Sequence, residues 1–148
     1  SLAEYYIREP GQMVTVMRTQ VDLVLPDGVA VLPAGDPAVA ELASLCDGTV
    51  LFYALEPGLP VIDAHCAGGG RALFLRDNHV VVAGATGETP LFSLAALHPA
   101  MNGKPLLQPL YVLAAVGVAL ALDIPPELIR AAMDTCVSLP TPAIQTNY

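Results

Sequence analysis

From Val29 to Leu55 the chain reads VAVLPAGDPAVAELASLCDGTVLFYAL, and this stretch restricts the fold more than any other. A short apolar run, Val29 to Leu32, stops at Pro33-Ala34-Gly35-Asp36-Pro37, where a helical pattern begins. Aspartate just before a proline is a helix start signal, with Asp36 as cap and Pro37 at the first helical position. The helix is expected to run from Pro37 to Cys46, and a second apolar run, Thr49 to Leu55, follows as a strand. Strand, tight loop, helix and strand in this order specify an α/β unit, whose loop after the first strand is a common ligand-facing corner.

The remaining punctuation extends the pattern. Pro10 to about Leu25 is expected to be helical, with Met13, Val14, Met17, Val21 and Val24 on one face. Pro57, Gly58 and Pro60 turn the chain into a helix over Val61 to Ala67, which Gly68-Gly69-Gly70 ends. Arg71 to Leu75 and Val80 to Ala83 predict a hairpin turning at Asp77-Asn78, and Thr89 to Leu94 predicts a further strand. A long helix is expected from about Pro105 to Leu122, and a last one from Pro125-Pro126-Glu127 to about Cys136. Leu110 to Leu122 is unbroken apolar sequence. It is shorter than the roughly 20 residues a membrane span needs, so it predicts a buried helix packed on a sheet through its small residues.

Composition bears on partners. A chain of 148 residues fits one domain, and 54% hydrophobic against 14% charged residues predicts a surface covered by another domain or another copy. A net charge of −8, with six Lys and Arg in all, argues against nucleic acid and anionic membrane as partners. Three scattered cysteines make no disulfide framework and fit a reducing cytoplasm. Ser1-Leu2 reads as a cloning remnant on an excised piece of a larger protein.

No residue pattern identifies a catalytic group. Gly68-Gly69-Gly70 ends a helix and lacks the Gly-Lys-Ser/Thr of a phosphate loop. Asn102-Gly103-Lys104-Pro105 has His98 and Pro105 where that loop needs glycine and Ser or Thr. His65-Cys66, His79 and His98 lack metal-ligand spacing, so no metal is expected. The acidic residues are spread along turns and helix ends. Asp36 either caps its helix, the plainer reading, or faces a ligand.

Four stretches together resemble the central, ATP-binding domain of the Mur ligase superfamily, most of all the Mur-ligase-like module of cyanophycin synthetases. They are LPDGVAVLPAGDPAVAELASLCDGTVLFYAL, PVIDAHCAGGGRALFLRDNHVVVA, Tyr111-Val112-Leu113-Ala114-Ala115, and ALDIPPELIRAAM. The resemblance implies a partial Mur-type α/β domain, a mixed sheet with flanking helices and a β-hairpin. It assigns residues 1–20 to a lead-in, 21–137 to the second half of the domain, and 138–148 to a linker toward a further domain. It implies an ATP- and Mg²⁺-dependent amide ligase, in the cyanophycin case one adding arginine to a polyaspartate backbone. Asp36, Gln108 and Tyr111 fall at its nucleotide-facing positions. Two departures stand out. The family's Asn-x-Asp-Asp-Pro is Pro33-Ala34-Gly35-Asp36-Pro37 here, and its adenine-contacting Asn is Tyr111. An Asn amide both donates and accepts, whereas Tyr111 offers one hydroxyl and a ring; among apolar neighbours it is expected in the core, with stacking on a purine as the alternative. The expected partners are therefore the rest of a parent chain, a second copy, and an amino-acid or polymer substrate. The chain alone is expected to bind no nucleotide and to be inactive. The alternative reading is a silent Mur-like module with a structural or oligomerisation role.

Overall fold

A computed structural model describes residues 9–94, 100–101, 104–105 and 108–138. The molecule is an α/β protein built on a five-stranded mixed sheet. Strands β1 (Val29–Pro33), β2 (Thr49–Ala54), β3 (Arg71–Arg76), β4 (His79–Gly84) and β5 (Gly87–Ser93) lie in sequence order across it. The first three are parallel and the last three antiparallel, with Val31 opposite Leu51 and Phe74 opposite Val81.

Helices cover both faces. On one side lie α1 (Pro10–Asp22), α2 (Pro37–Ala40) and α3 (Pro60–Ala67), packed over Leu32, Phe52, Ala72, Phe74 and Val81 through Val21, Val39, Leu42 and Ile62. On the other lie α4 (Pro109–Ala121) and α5 (Pro126–Ser138), over Leu51, Leu73, Val80 and Leu91. Both parallel connections run through the first layer and α4 covers the opposite face, so β1–β3 are covered on both faces, β1 only partly on the α4 side, and read as continuous apolar runs.

Turn chemistry fixes the ends of these elements. Asp77 and Asn78 both adopt positive φ (49° and 63°), closing the β3–β4 hairpin with a two-residue loop of the hand that suits strand twist. Helix α3 ends as its sequence predicts: Gly69 N–H donates to Cys66 O and Gly70 N–H to His65 O, with Gly69 at φ +92°. Helix α4 stops by the same motif, with Asp123 in the left-handed position at φ 56° and Ile124 N–H donating to Ala119 O.

Several expectations are corrected. Helix α1 ends at Asp22 rather than near Leu25. The helix expected over Pro37 to Cys46 is one α-turn followed by a 3₁₀ segment, Glu41–Leu45, in which Ser44 Oγ donates to Glu41 O. Strand β5 starts at Gly87, two residues early. Helix α4 begins at Pro109, not Pro105, because a residue before proline is driven out of helical geometry, and Gln108 is extended (φ −76°, ψ 133°). Lys104-Pro105 instead form strand β7, paired with β6 (Ala100–Met101). Tyr111 is not in the core: it is 64% exposed. His98, the Ser1-Leu2 start and residues 139–148 of the expected linker lie outside the described residues. Among the described residues, no helix is long and apolar enough to cross a membrane.

Candidate functional site

Parallel strands that end side by side leave a crevice where their connections diverge, and α/β proteins bind ligands there. Here β1 ends at Pro33 and β2 at Ala54, and Ala34 N–H extends their ladder by one bond to Tyr53 O at 2.8 Å. Beyond that bond the chains part. One passes through Gly35 and Asp36 into α2, the other through Leu55 and Glu56 toward Leu59. A crevice of 530 Å³ opens between them, lined also by Leu110 from the first turn of α4. A hollow of 430 Å³ shares Gly35 and Leu59 with it and continues to Pro60 and Val61.

Of the three residues proposed from sequence, Asp36 alone is among the crevice-lining residues described. Its Oδ1 accepts a hydrogen bond from Ala38 N–H at 3.0 Å, the expected capping contact. Gln108 precedes α4 in the cap position, is exposed, and makes no side-chain bond to the helix end. Tyr111 is exposed and does not line the crevice; Leu110, between the two, does. The first turn of α4 therefore reaches the crevice at the end of β1 through an aliphatic side chain, Leu110.

Sequence reasoning passed over Tyr53, Glu56, Leu59 and Leu110, all of which line the crevice. Tyr53 stands opposite Pro33 in the parallel register, a placement only pairing reveals. Burial pushes its phenol above the ordinary 10.0. Among the described residues, the ionisable side chains lining the crevice are Asp36, Glu56 and Tyr53, with no Lys, Arg or His. Such a lining suits an apolar or weakly polar group and offers no counter-charge to a polyphosphate.

A larger groove of 930 Å³ lies away from the strand ends, between α1, the 3₁₀ segment and α3. Phe52 and His65, edge-to-face at 4.9 Å, contribute to its wall. Its polar groups are mostly engaged: His65 Nε2 lies 3.0 Å from Val50 O, and Thr15 Oγ1 donates to Gly11 O. On α3, burial first, then the charges of Asp63 and Glu88, push the Cys66 thiol up. Among the described residues, no group of three or more His, Cys, Asp or Glu is placed to hold a metal ion.

Fold and crevice together define an α/β protein whose candidate site lies at the carboxyl ends of two parallel strands. Comparison with known proteins gives the relationship a direction. The chain is 34% identical over 71 residues to a cyanophycin synthetase of Synechocystis sp., and 31% identical over 71 residues to that of Crocosphaera subtropica. Each match takes in 48% of this chain and 8% of the relative, so the matched stretch spans under a tenth of either protein's length. No protein-family model matches the sequence.

Proposed function

We propose that this chain is part of a cyanophycin-synthetase-like, ATP-dependent amide ligase of the Mur type, and that the crevice between β1 and β2 belongs to its nucleotide site. The observation that carries this reading is the 34% identity over 71 residues to a cyanophycin synthetase. The α/β fold, with its crevice at the strand ends, supports it.

The residues present fit one end of ATP and not the other. Pro33, Leu59, Leu110 and the ring of Tyr53 offer a surface for a planar base, and Gln108, two residues before Leu110, carries an amide that can both donate and accept. Among the described residues that line the crevice, none neutralises the charge of phosphates, so in this reading the triphosphate and Mg²⁺ are held by other residues of the ligase. When bound, ATP supplies the phosphoryl group that activates a carboxylate for attack by an amine. The work of this chain is to seat the base and exclude water from one side of it.

The same lack of cations supports a second reading, a Mur-like module that has lost nucleotide chemistry and serves assembly. Phosphate release by the full-length protein, measured with and without aspartate, arginine and a cyanophycin primer, separates the two. Arginine-dependent release that falls at least about tenfold on Leu110→Asp, which places a third carboxylate in the crevice, supports the ligase reading. Arginine-dependent release that Leu110→Asp leaves unchanged would remove the crevice from it. No arginine-dependent release leaves the structural reading.

A further inference from the structure

Polar side chains set into this fold bond to its backbone carbonyls. His65 Nε2 lies 3.0 Å from Val50 O, and Arg130 Nε donates to Leu91 O at 2.7 Å. Tyr53 departs from that rule: it is half-buried in β2, and its hydroxyl forms no hydrogen bond with a described residue. Among the described residues, no enclosed side-chain nitrogen or oxygen lacks a partner, so this hydroxyl must reach open space. The space that Tyr53 lines is the crevice at the ends of β1 and β2.

The other lining side chains cannot do what this hydroxyl can. Asp36 and Glu56 bring carboxylates, which only accept, and Asp36 already receives Ala38 N–H. Pro33, Leu59 and Leu110 bring carbon. Of the described residues lining the crevice, Tyr53 alone has a side chain that donates. Burial holds its phenol above the ordinary 10.0, so at neutral pH the proton is in place. The edge of a purine carries ring nitrogens whose lone pairs need a donor, which a carboxylate does not supply.

We infer that the Tyr53 hydroxyl donates to a ring nitrogen of the purine base, so that in this chain the base is read from β2 and not from the start of α4. The inference rests on the crevice being part of a nucleotide site. Placement agrees with the role. Tyr53 stands opposite Pro33 where the parallel ladder ends, and Ala34 N–H donates to its backbone oxygen at 2.8 Å, so the sheet holds the residue before a ligand arrives. The first turn of α4 brings Leu110, an aliphatic side chain that packs on the face of a base without reading its edge. A base lacking the matching nitrogen displaces water from the hydroxyl and leaves the donor unpaired, which is how one hydroxyl discriminates.

Arginine-dependent phosphate release by the full-length protein tests this, with ATP compared against three deaza analogues in which N1, N3 or N7 of the base is C–H. Tyr53→Phe keeps the ring and its packing and deletes the donor alone. The expected result is a KM for ATP raised about fivefold to tenfold with kcat unchanged, as the loss of one neutral hydrogen bond requires. One analogue is expected to show the same loss with the unaltered protein, and Tyr53→Phe to add nothing to it. A KM for ATP that Tyr53→Phe leaves unchanged, while Leu110→Asp lowers release, overturns the inference alone. Equal use of ATP and all three analogues by the unaltered protein also overturns it, as does a Tyr53→Phe loss of one size with all four nucleotides, which traces to packing of the ring. Absence of arginine-dependent release removes the nucleotide reading and this inference with it.

Discussion

Asp36 shows how far one residue can be read. Its place before Pro37 predicts a cap, and its Oδ1 receives Ala38 N–H. Asp36→Ala therefore costs about 1 kcal/mol of stability, while Asp36→Asn, which still accepts, costs a few tenths. Urea unfolding midpoints of the two variants check this, and equal losses would remove the cap as the cause. Tyr111 is the contrary case. A helix that is apolar all round carries no phase information, so its sequence cannot say which residues face the sheet. Neighbours such as Val112 and Leu113 are buried, and that composition pointed to the core for Tyr111 as well. The crevice residues Tyr53 and Leu110 were illegible for a related reason: strand register and helix docking bring them together across more than 50 positions of sequence.

At the scale of elements, α4 is held against the sheet by the absence of a side chain. A Cβ on Gly117 would stand 2.7 Å from Val31 Cγ1 and 3.3 Å from Leu51 Cδ2, closer than side chains pack. Two effects of Gly117→Ala oppose each other. Helix propensity favours alanine by about 1 kcal/mol. Overpacking between a helix and β-branched residues costs about 1–3 kcal/mol and here meets a stiff valine. The second prevails, so Gly117→Ala is expected to lower stability by about 1 kcal/mol, and Gly117→Ala with Val31→Ala to lose less than the two single changes summed. A double-mutant cycle in urea checks this; additive losses would mean that the two sites do not touch. The sequence showed α4 and its small residues plainly. It misplaced the start because Pro105 and Pro109 are equally good start signals, and only the extended Gln108 between them settles which one operates. The strands were the most legible elements, since parallel pairing buries both faces and leaves uninterrupted apolar runs such as Val50 to Phe52.

At the scale of the whole molecule, stability depends on protons held on both faces of the sheet. Tyr53 packs with the α4 layer and Cys66 with the α3 layer, and burial raises both groups above their ordinary 10.0 and 9.0. A raised folded value means that the unfolded chain gives up its proton first. Below pH 9 both groups are protonated in both states and their contribution is complete. As pH rises past the unfolded values toward the folded ones, the unfolded state alone ionises, and stability falls. A second effect runs in the same direction, because the chain has 14 acidic residues against six Lys and Arg, and its self-repulsion grows as thiols and phenols across the molecule ionise. Salt separates the two. At about 1 M the screening length is roughly 3 Å, which removes repulsion between exposed charges and leaves the cost of ionising a buried group. Urea midpoints from pH 8 to about 11 in high salt should therefore still fall with pH, and Tyr53→Phe together with Cys66→Ser should flatten the curve. An unchanged slope in the double variant would assign the alkaline loss to other groups. A slope abolished by salt alone would assign it to the net charge of the molecule.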